Sequence, residues 1–133
     1  MQNEIIEWNK ETIQEYIDKN QCKKLNQEDT EGYTALIWAC IHEPEIVPDL
    51  LKQTDLDVNI KNKFGGSALI WACVDNPEAA PDLLKHPDID VNIQTENGNN
   101  PLIFACKFNP EIVPDLLKHP DIDANIKNKI NYT

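Results

Sequence analysis

The chain has 133 residues, and its 23 acidic residues against 12 basic ones give a formal net charge of −11 at pH 7. Every basic residue other than histidine is a lysine, so the chain has no arginine that could bind a phosphate through two hydrogen bonds or recognise the edge of a guanine base. This composition argues against a nucleic-acid partner. Hydrophobic residues make up 41% of the chain, which suits one folded domain or a short stack of repeats rather than a disordered acidic tail.

The start of the chain does not resemble a targeting signal. Residues 1–4 include Glu4 where a signal peptide would be basic, and no apolar run approaches the roughly 20 residues that cross a bilayer. We therefore expect a monomeric protein of the cytoplasm without a membrane partner, with the nucleus or a host-cell cytosol as alternative locations.

Three segments, 34–63, 67–96 and 100–129, repeat without a gap and at one constant offset. Compared in pairs, they agree at 18, 20 and 19 of their 30 positions. They begin Thr-Ala-Leu-Ile-Trp-Ala-Cys, Ser-Ala-Leu-Ile-Trp-Ala-Cys and Asn-Pro-Leu-Ile-Phe-Ala-Cys. A constant period of about 33 residues is typical of a stacked solenoid, in which each unit buries its apolar face against its neighbours.

The repeated segments resemble the ankyrin repeat, in which Gly-x-Thr-Pro-Leu-His-x-Ala precedes two helices, a Leu-Leu pair and an Asp-Val-Asn tail. In the first segment the matching residues are Gly32, Thr34, Leu36, Ala39, Leu50, Leu51, Asp57, Val58 and Asn59. The third segment also has the proline, at Pro101, whereas isoleucine replaces the family's histidine throughout. The resemblance implies an all-α solenoid of stacked helix-turn-helix units with projecting β-hairpin-like fingers.

The same alignment predicts how the chain divides. Residues 1–30 are interpreted as a degenerate N-terminal capping repeat, followed by ankyrin repeats at 31–63, 64–96 and 97–129. Residues 130–133 match the start of a further repeat. We expect the natural chain to continue past this point, with a true terminus as the alternative.

Each unit carries signals for its two helices. Thr34, Ser67 and Asn100 are good N-cap types ahead of the first helix. Glu43-Pro44, Asn76-Pro77 and Asn109-Pro110 precede the second helix, where Asn and Pro suit the N-cap and first position. A second proline follows at Pro48, Pro81 and Pro114, where the family has none. Because proline inside a helix costs about 3 kcal/mol, we expect a loose turn over 44–47 and a regular helix from about Pro48 to Lys52.

The four cysteines invite a redox or metal interpretation. Cys40, Cys73 and Cys106 share one register position, and in-register residues of stacked helices lie about 8–10 Å apart, too far for a disulfide or a shared zinc ion. We expect these three to be small buried thiols and Cys22 to be exposed. A thiol-reactive probe should then show none of the selectivity that a catalytic cysteine would produce.

One segment copies the opening of a calcium-binding loop. Asp88, Asp90 and Asn92 have the required spacing, but Ile93 stands where the loop needs glycine and Asn99 where it needs glutamate. The three histidines have no metal-ligand spacing. We therefore expect no metal, no cofactor and no catalysis. The aromatic position shared by the repeats, Trp38, Trp71 and Phe104, is interpreted as packing rather than as a ligand cage.

Partner binding is expected at positions whose residues differ among the three repeats, because packing does not fix the residue there. These positions lie at the end of the first helix and in the finger loops. The resemblance implies that these positions line a groove that binds another protein. The candidate partner-binding residues are Tyr33, Ile41, His42, Lys63, Phe64, Val74, Asp75, Asn97, Lys107 and Phe108. Segment 64–96 has a net charge of −5, so we expect a partner with a basic patch, with solubility as the competing explanation for the charge.

The sequence thus predicts a protein-protein interaction scaffold without catalysis. The alternative is a targeting or regulatory ankyrin arm of a longer enzyme or effector that continues beyond residue 133.

Overall fold

The structure is a computed structural model that describes residues 5–128. Residues 1–4 of the predicted cap, residue 129 of the last predicted repeat and the predicted further repeat at 130–133 lie outside the described residues.

Helices are the only regular secondary structure between residues 5 and 128. The first is α1, and three pairs of helices follow it along the chain. In chain order the helices are α1 (Lys10–Asp18), α2 (Ala35–His42), α3 (Val47–Leu51), α4 (Ala68–Asp75), α5 (Ala80–Lys85), α6 (Pro101–Phe108) and α7 (Val113–Lys118). Helix α4 packs against both α2 and α6, and α3 packs against α5. The helix pairs are therefore stacked, and the predicted all-α stack is confirmed.

The first helix of each pair begins at a side-chain cap. Thr34, Ser67 and Asn100 accept a hydrogen bond from the backbone N–H three residues later, at 3.3, 3.4 and 2.9 Å. Each bond satisfies one of the N–H groups that a helix start leaves without an intrahelical acceptor. The predicted N-caps are confirmed.

The second helix of each pair accommodates its prolines by starting late. A 3-10 turn over Pro44–Ile46 leads into α3, which places Pro48 in the first helical turn, where no helical N–H bond is lost. The turns Pro77–Ala79 and Pro110–Ile112 do the same for α5 and α7. The predicted loose turn is confirmed, although α3 begins at Val47, one residue earlier than expected, and ends at Leu51.

Asn76 and Asn109 occupy the predicted N-cap position of these turns, each before a proline, but neither side chain makes a cap hydrogen bond. Instead, Asn109 Nδ2 donates to the backbone oxygens of Cys73 and Val74 at 2.8 and 3.2 Å. These carbonyls lie in the last turn of α4, where a helix leaves its acceptors unsatisfied, so Asn109 joins two neighbouring helix pairs.

Within residues 5–30, the N-terminal segment contains one α-helix rather than a pair. Helix α1 aligns with α3 in the register of the repeats, and residues 5–9 before it are not helical. Ile6 and Trp8 are nevertheless buried in the common core, and Trp8 Nε1 donates to the backbone oxygen of Gln27 at 3.1 Å.

Asparagine side chains tie the units together in register. Asn26, Asn59 and Asn92 occupy the same position in successive units, and each donates from Nδ2 to a backbone oxygen 29 residues later at 2.7–2.9 Å. Each also accepts at Oδ1 from a backbone N–H 31 residues later, at 2.8 Å. We call this set of contacts the asparagine ladder.

Two of the four cysteines differ in burial from the sequence-based expectation. Cys40 and Cys73 are buried as expected, but Cys106 is exposed. Cys106 lies on α6, and no further helix pair covers α6 within residues 5–128. Cys22 is buried rather than exposed, because its 3-10 turn, Cys22–Asn26, packs into the core and its Sγ lies 3.2 Å from Gln53 Oε1.

Candidate functional site

Three tight turns precede α2, α4 and α6 and form the predicted fingers. Each turn is closed by two backbone hydrogen bonds between its ends, and the middle turn has Asn62 N to Gly66 O at 3.0 Å and Gly65 N to Asn62 O at 2.9 Å. Gly65 has a φ of +86°, and the glycines at the same position of the other two turns, Gly32 and Gly98, have φ values of +89° and +84°. This left-handed conformation favours glycine. The fingers are hairpin-like turns without an assigned strand between residues 5 and 128.

An aromatic cluster stands at the base of the middle finger. The ring of Trp71 lies edge-on to Tyr33 and to Phe64, with centroids 6.0 and 6.4 Å apart, and Tyr33 lies 6.1 Å from Phe64. Lys63 Nζ is 5.3 Å from the centroid of the Phe64 ring. A Cβ on Gly66 would lie 2.6 Å from Trp71 Nε1, so glycine is what lets the indole pack against the turn.

A cleft of about 210 Å³ opens between the middle finger and the first helices, and we call it the finger cleft. Its lining residues are Phe64, Gly66, Ile70, Trp71, Val74, Thr95 and Phe104. The structure thus brings together two of the predicted residues, Phe64 and Val74. It also adds Trp71 and Phe104, which the sequence had assigned to packing alone.

The other predicted residues do not line the finger cleft. His42 is exposed at the end of α2, and its ring lies 5.3 Å from Trp38. Phe108 is 55% exposed at the end of α6, and its ring stacks on Phe104 at 6.4 Å. Ile41 is half-buried. The remaining members, Asp75, Asn97 and Lys107, are exposed.

Two buried hydrogen-bond donors near the finger cleft have no partner within residues 5–128: Asn62 Nδ2 and Trp71 Nε1. Asn62 uses its oxygen, which accepts from the backbone N–H groups of Phe64 and Gly66 at 3.1 and 3.2 Å. An unsatisfied buried donor costs about 1–3 kcal/mol, and such groups are uncommon in folded proteins. Sequence patterns did not reveal this feature, because it depends on how the finger packs against α4.

Two thiols on the first helices are buried and stay protonated. Burial raises the pKa of the Cys73 thiol to about 12 and that of the Cys40 thiol still further, so neither forms a thiolate near neutral pH. No group of three or more histidine, cysteine, aspartate or glutamate residues could hold a metal ion in the described part of the chain. The finger cleft offers apolar and aromatic surface, which suits the side chain of a partner.

Comparison with models of protein families identifies the repeats. A family model described as ankyrin repeats (3 copies) matches residues 5–95 and, in an overlapping match, residues 43–128. A search of curated proteins finds no match. No helix within residues 5–128 has the length and apolar character needed to cross a membrane.

Proposed function

Because the chain belongs to the ankyrin repeat family, whose repeats generally act in protein-protein interaction, we propose that it is a protein-binding scaffold that receives a partner protein in the finger cleft. The observation that best supports this proposal is the open apolar and aromatic lining of the cleft. Phe64 is 59% exposed at its edge, in a chain whose other large apolar side chains are mostly buried.

Binding would remove exposed apolar area from water. Aromatic side chains are frequent among the few interface residues that dominate binding energy, and Phe64 and Trp71 stand together at the cleft. Phe108 and Val74 extend the apolar surface toward the ends of the first helices. A partner side chain in the cleft would contact the middle finger, α4 and α6 at once.

The finer elements of the proposal follow from the sequence. The full contact set is proposed to be Tyr33, Ile41, His42, Lys63, Phe64, Val74, Asp75, Asn97, Lys107 and Phe108. The partner is proposed to carry a basic patch, because acidic residues dominate the segment that contains α4 and α5. We further propose a cytoplasmic monomer without catalytic activity and without nucleic-acid or membrane partners.

Affinity capture tests the proposal. The protein and its triple variant Phe64→Ser, Val74→Asp, Phe108→Ser are immobilised, exposed to native lysate and compared by quantitative mass spectrometry. We expect the variant to lose at least about 90% of the specifically captured partner, the result of losing more than about 1.4 kcal/mol of binding energy.

The control variant removes exposed apolar side chains elsewhere. Ile5→Ser with Leu117→Ser changes residues that are 83% and 49% exposed and lie outside the finger cleft. This control should capture the same partner as the unmodified protein. If the triple variant keeps its helical circular dichroism and still captures every partner, the finger cleft is not the binding site.

A further inference from the structure

A second surface, formed by α3, α5 and α7, carries two clefts that are copies of each other. The first has a volume of about 280 Å³, and its lining is Pro48, Leu51, Lys52, Asp82, Lys85, His86 and Pro87. The second has a volume of about 300 Å³, and its lining is Pro81, Leu84, Lys85, Asp115, Lys118, His119 and Pro120. Each lining residue of the second cleft occupies the same repeat position, one unit later, as its counterpart in the first.

We propose that these paired clefts bind an extended acidic segment of a partner protein that presents an apolar side chain at every third residue. The finger cleft lies on the first helices and the finger loops, so this site is separate from the one proposed above. The argument rests on the chemistry of one cleft and on the distance between the two.

Each cleft combines an apolar floor with hydrogen-bond donors. In the first, Pro48 and Leu51 supply the apolar surface, and Pro48 is the proline that distinguishes these repeats from the ankyrin pattern. His86 Nδ1 accepts a hydrogen bond from the backbone N–H of Asp88 at 3.1 Å, so the neutral ring carries its proton on Nε2 as a donor. His119 and Asp121 repeat this contact at 3.1 Å.

The clefts concentrate lysines on an otherwise acidic chain. Three lysines and two aspartates line the two clefts together, and Lys52 Nζ also lies 3.8 Å from Asp49 Oδ1, whereas the chain as a whole has a net charge of −11. Lys85 lines both clefts. Exposed lysines on an otherwise acidic surface attract a carboxylate to that point, and the apolar floor favours a polypeptide over a nucleic acid.

The spacing of the clefts sets the spacing of the ligand. Helices α3 and α5 pack side by side, and packed helices lie about 8–10 Å apart. A polyproline II segment rises about 3.1 Å per residue, so three residues span about 9 Å. An apolar side chain at every third position would therefore enter successive clefts, with acidic residues between them facing the lysines.

The test uses a fluorescein-labelled peptide with four Pro-Leu-Glu repeats, measured by fluorescence anisotropy. We expect saturable binding that weakens with added salt, because the screened charges contribute to it. A peptide with Pro-Leu-Gln repeats lacks the carboxylates, and one with Pro-Pro-Leu-Glu repeats has the wrong spacing. Both should bind at least about tenfold more weakly.

Charge-reversal variants distinguish binding of the peptide in the clefts from non-specific electrostatic attraction to the rest of the surface. Lys85→Glu alters both clefts and should weaken binding more than Lys52→Glu or Lys118→Glu, which alter one each. Lys23→Glu makes the same charge change at an exposed site in the N-terminal segment and should leave binding unchanged. The Phe64 triple variant should also bind normally, which separates this site from the finger cleft.

Several results would overturn the proposal. Absence of binding by the Pro-Leu-Glu peptide would do so, as would equal losses in Lys85→Glu and Lys23→Glu. Displacement of the peptide by an oligo-dT strand would instead identify the clefts as a nucleic-acid site. Circular dichroism of each variant checks that its helices are intact.

Discussion

The asparagine ladder makes a quantitative prediction about how the units are held together. Asn59 donates to Asp88 O at 2.7 Å and accepts from Asp90 N at 2.8 Å, so Asn59→Ala removes two hydrogen bonds between neighbouring units. Each such bond contributes about 0.5–1.5 kcal/mol net, and exposure lets water replace part of the loss. We therefore expect the free energy of unfolding to fall by about 1–3 kcal/mol.

Urea and thermal unfolding measure this loss. In domains of this size range, 1 kcal/mol corresponds to roughly 2–8 °C in Tm, so the expected decrease is readily resolved. Asn125→Ala provides the matched control, because Asn125 has the same register position but its side chain makes no hydrogen bond to another described residue. An Asn59→Ala variant as stable as Asn125→Ala would refute the idea that the ladder couples the units.

Three further predictions concern thiols and the middle finger. Cys106, the exposed thiol, should react with a thiol reagent in the native protein while the other three react only after unfolding, so selective labelling would report exposure and not catalysis. Burial raises the pKa of Cys73 to about 12, so the folded thiol stays protonated where the unfolded one ionises. The contribution of Cys73 to stability should therefore be unchanged below about pH 8.5 and fall above it, by at most about 1.4 kcal/mol per pH unit, so urea unfolding at several pH values should show a smaller decline in Cys73→Ala. Gly66→Ala should displace the Trp71 indole and change the near-ultraviolet circular dichroism, whereas Gly65→Ala strains the backbone in open space and should cost about 1 kcal/mol without moving the ring.

Sequence reasoning worked best where the structure depends on local chemistry repeated in each unit. The N-caps at Thr34, Ser67 and Asn100 need only a side-chain oxygen ahead of an apolar helix, so residue type and position sufficed. The late start of α3 followed from what Pro48 does to a helical hydrogen bond. The stack itself followed from the constant period of the repeats.

Sequence reasoning failed where a residue's environment depends on its neighbours in the stack. Cys106 repeats the sequence position of Cys73, yet it is exposed because no further helix pair covers α6 within the described residues. Asn109 occupies an N-cap position, but its side chain makes no cap bond, and its Nδ2 donates instead to backbone oxygens at the end of α4 in the preceding unit. The finger cleft is lined by residues of two units, among them Phe64 and Phe104, which a comparison of separate repeats could not show.

Photo-crosslinking from the finger cleft tests the central claim most directly. A benzoyl-phenylalanine at position 64 keeps an aromatic ring at the cleft, and the same residue at position 5 samples an exposed apolar position outside it. We predict a discrete protein adduct from position 64 that disappears when Val74→Asp is added, and none of that adduct from position 5. The same adduct from both positions, or none from position 64 in a lysate that supplies a captured partner, would contradict the claim.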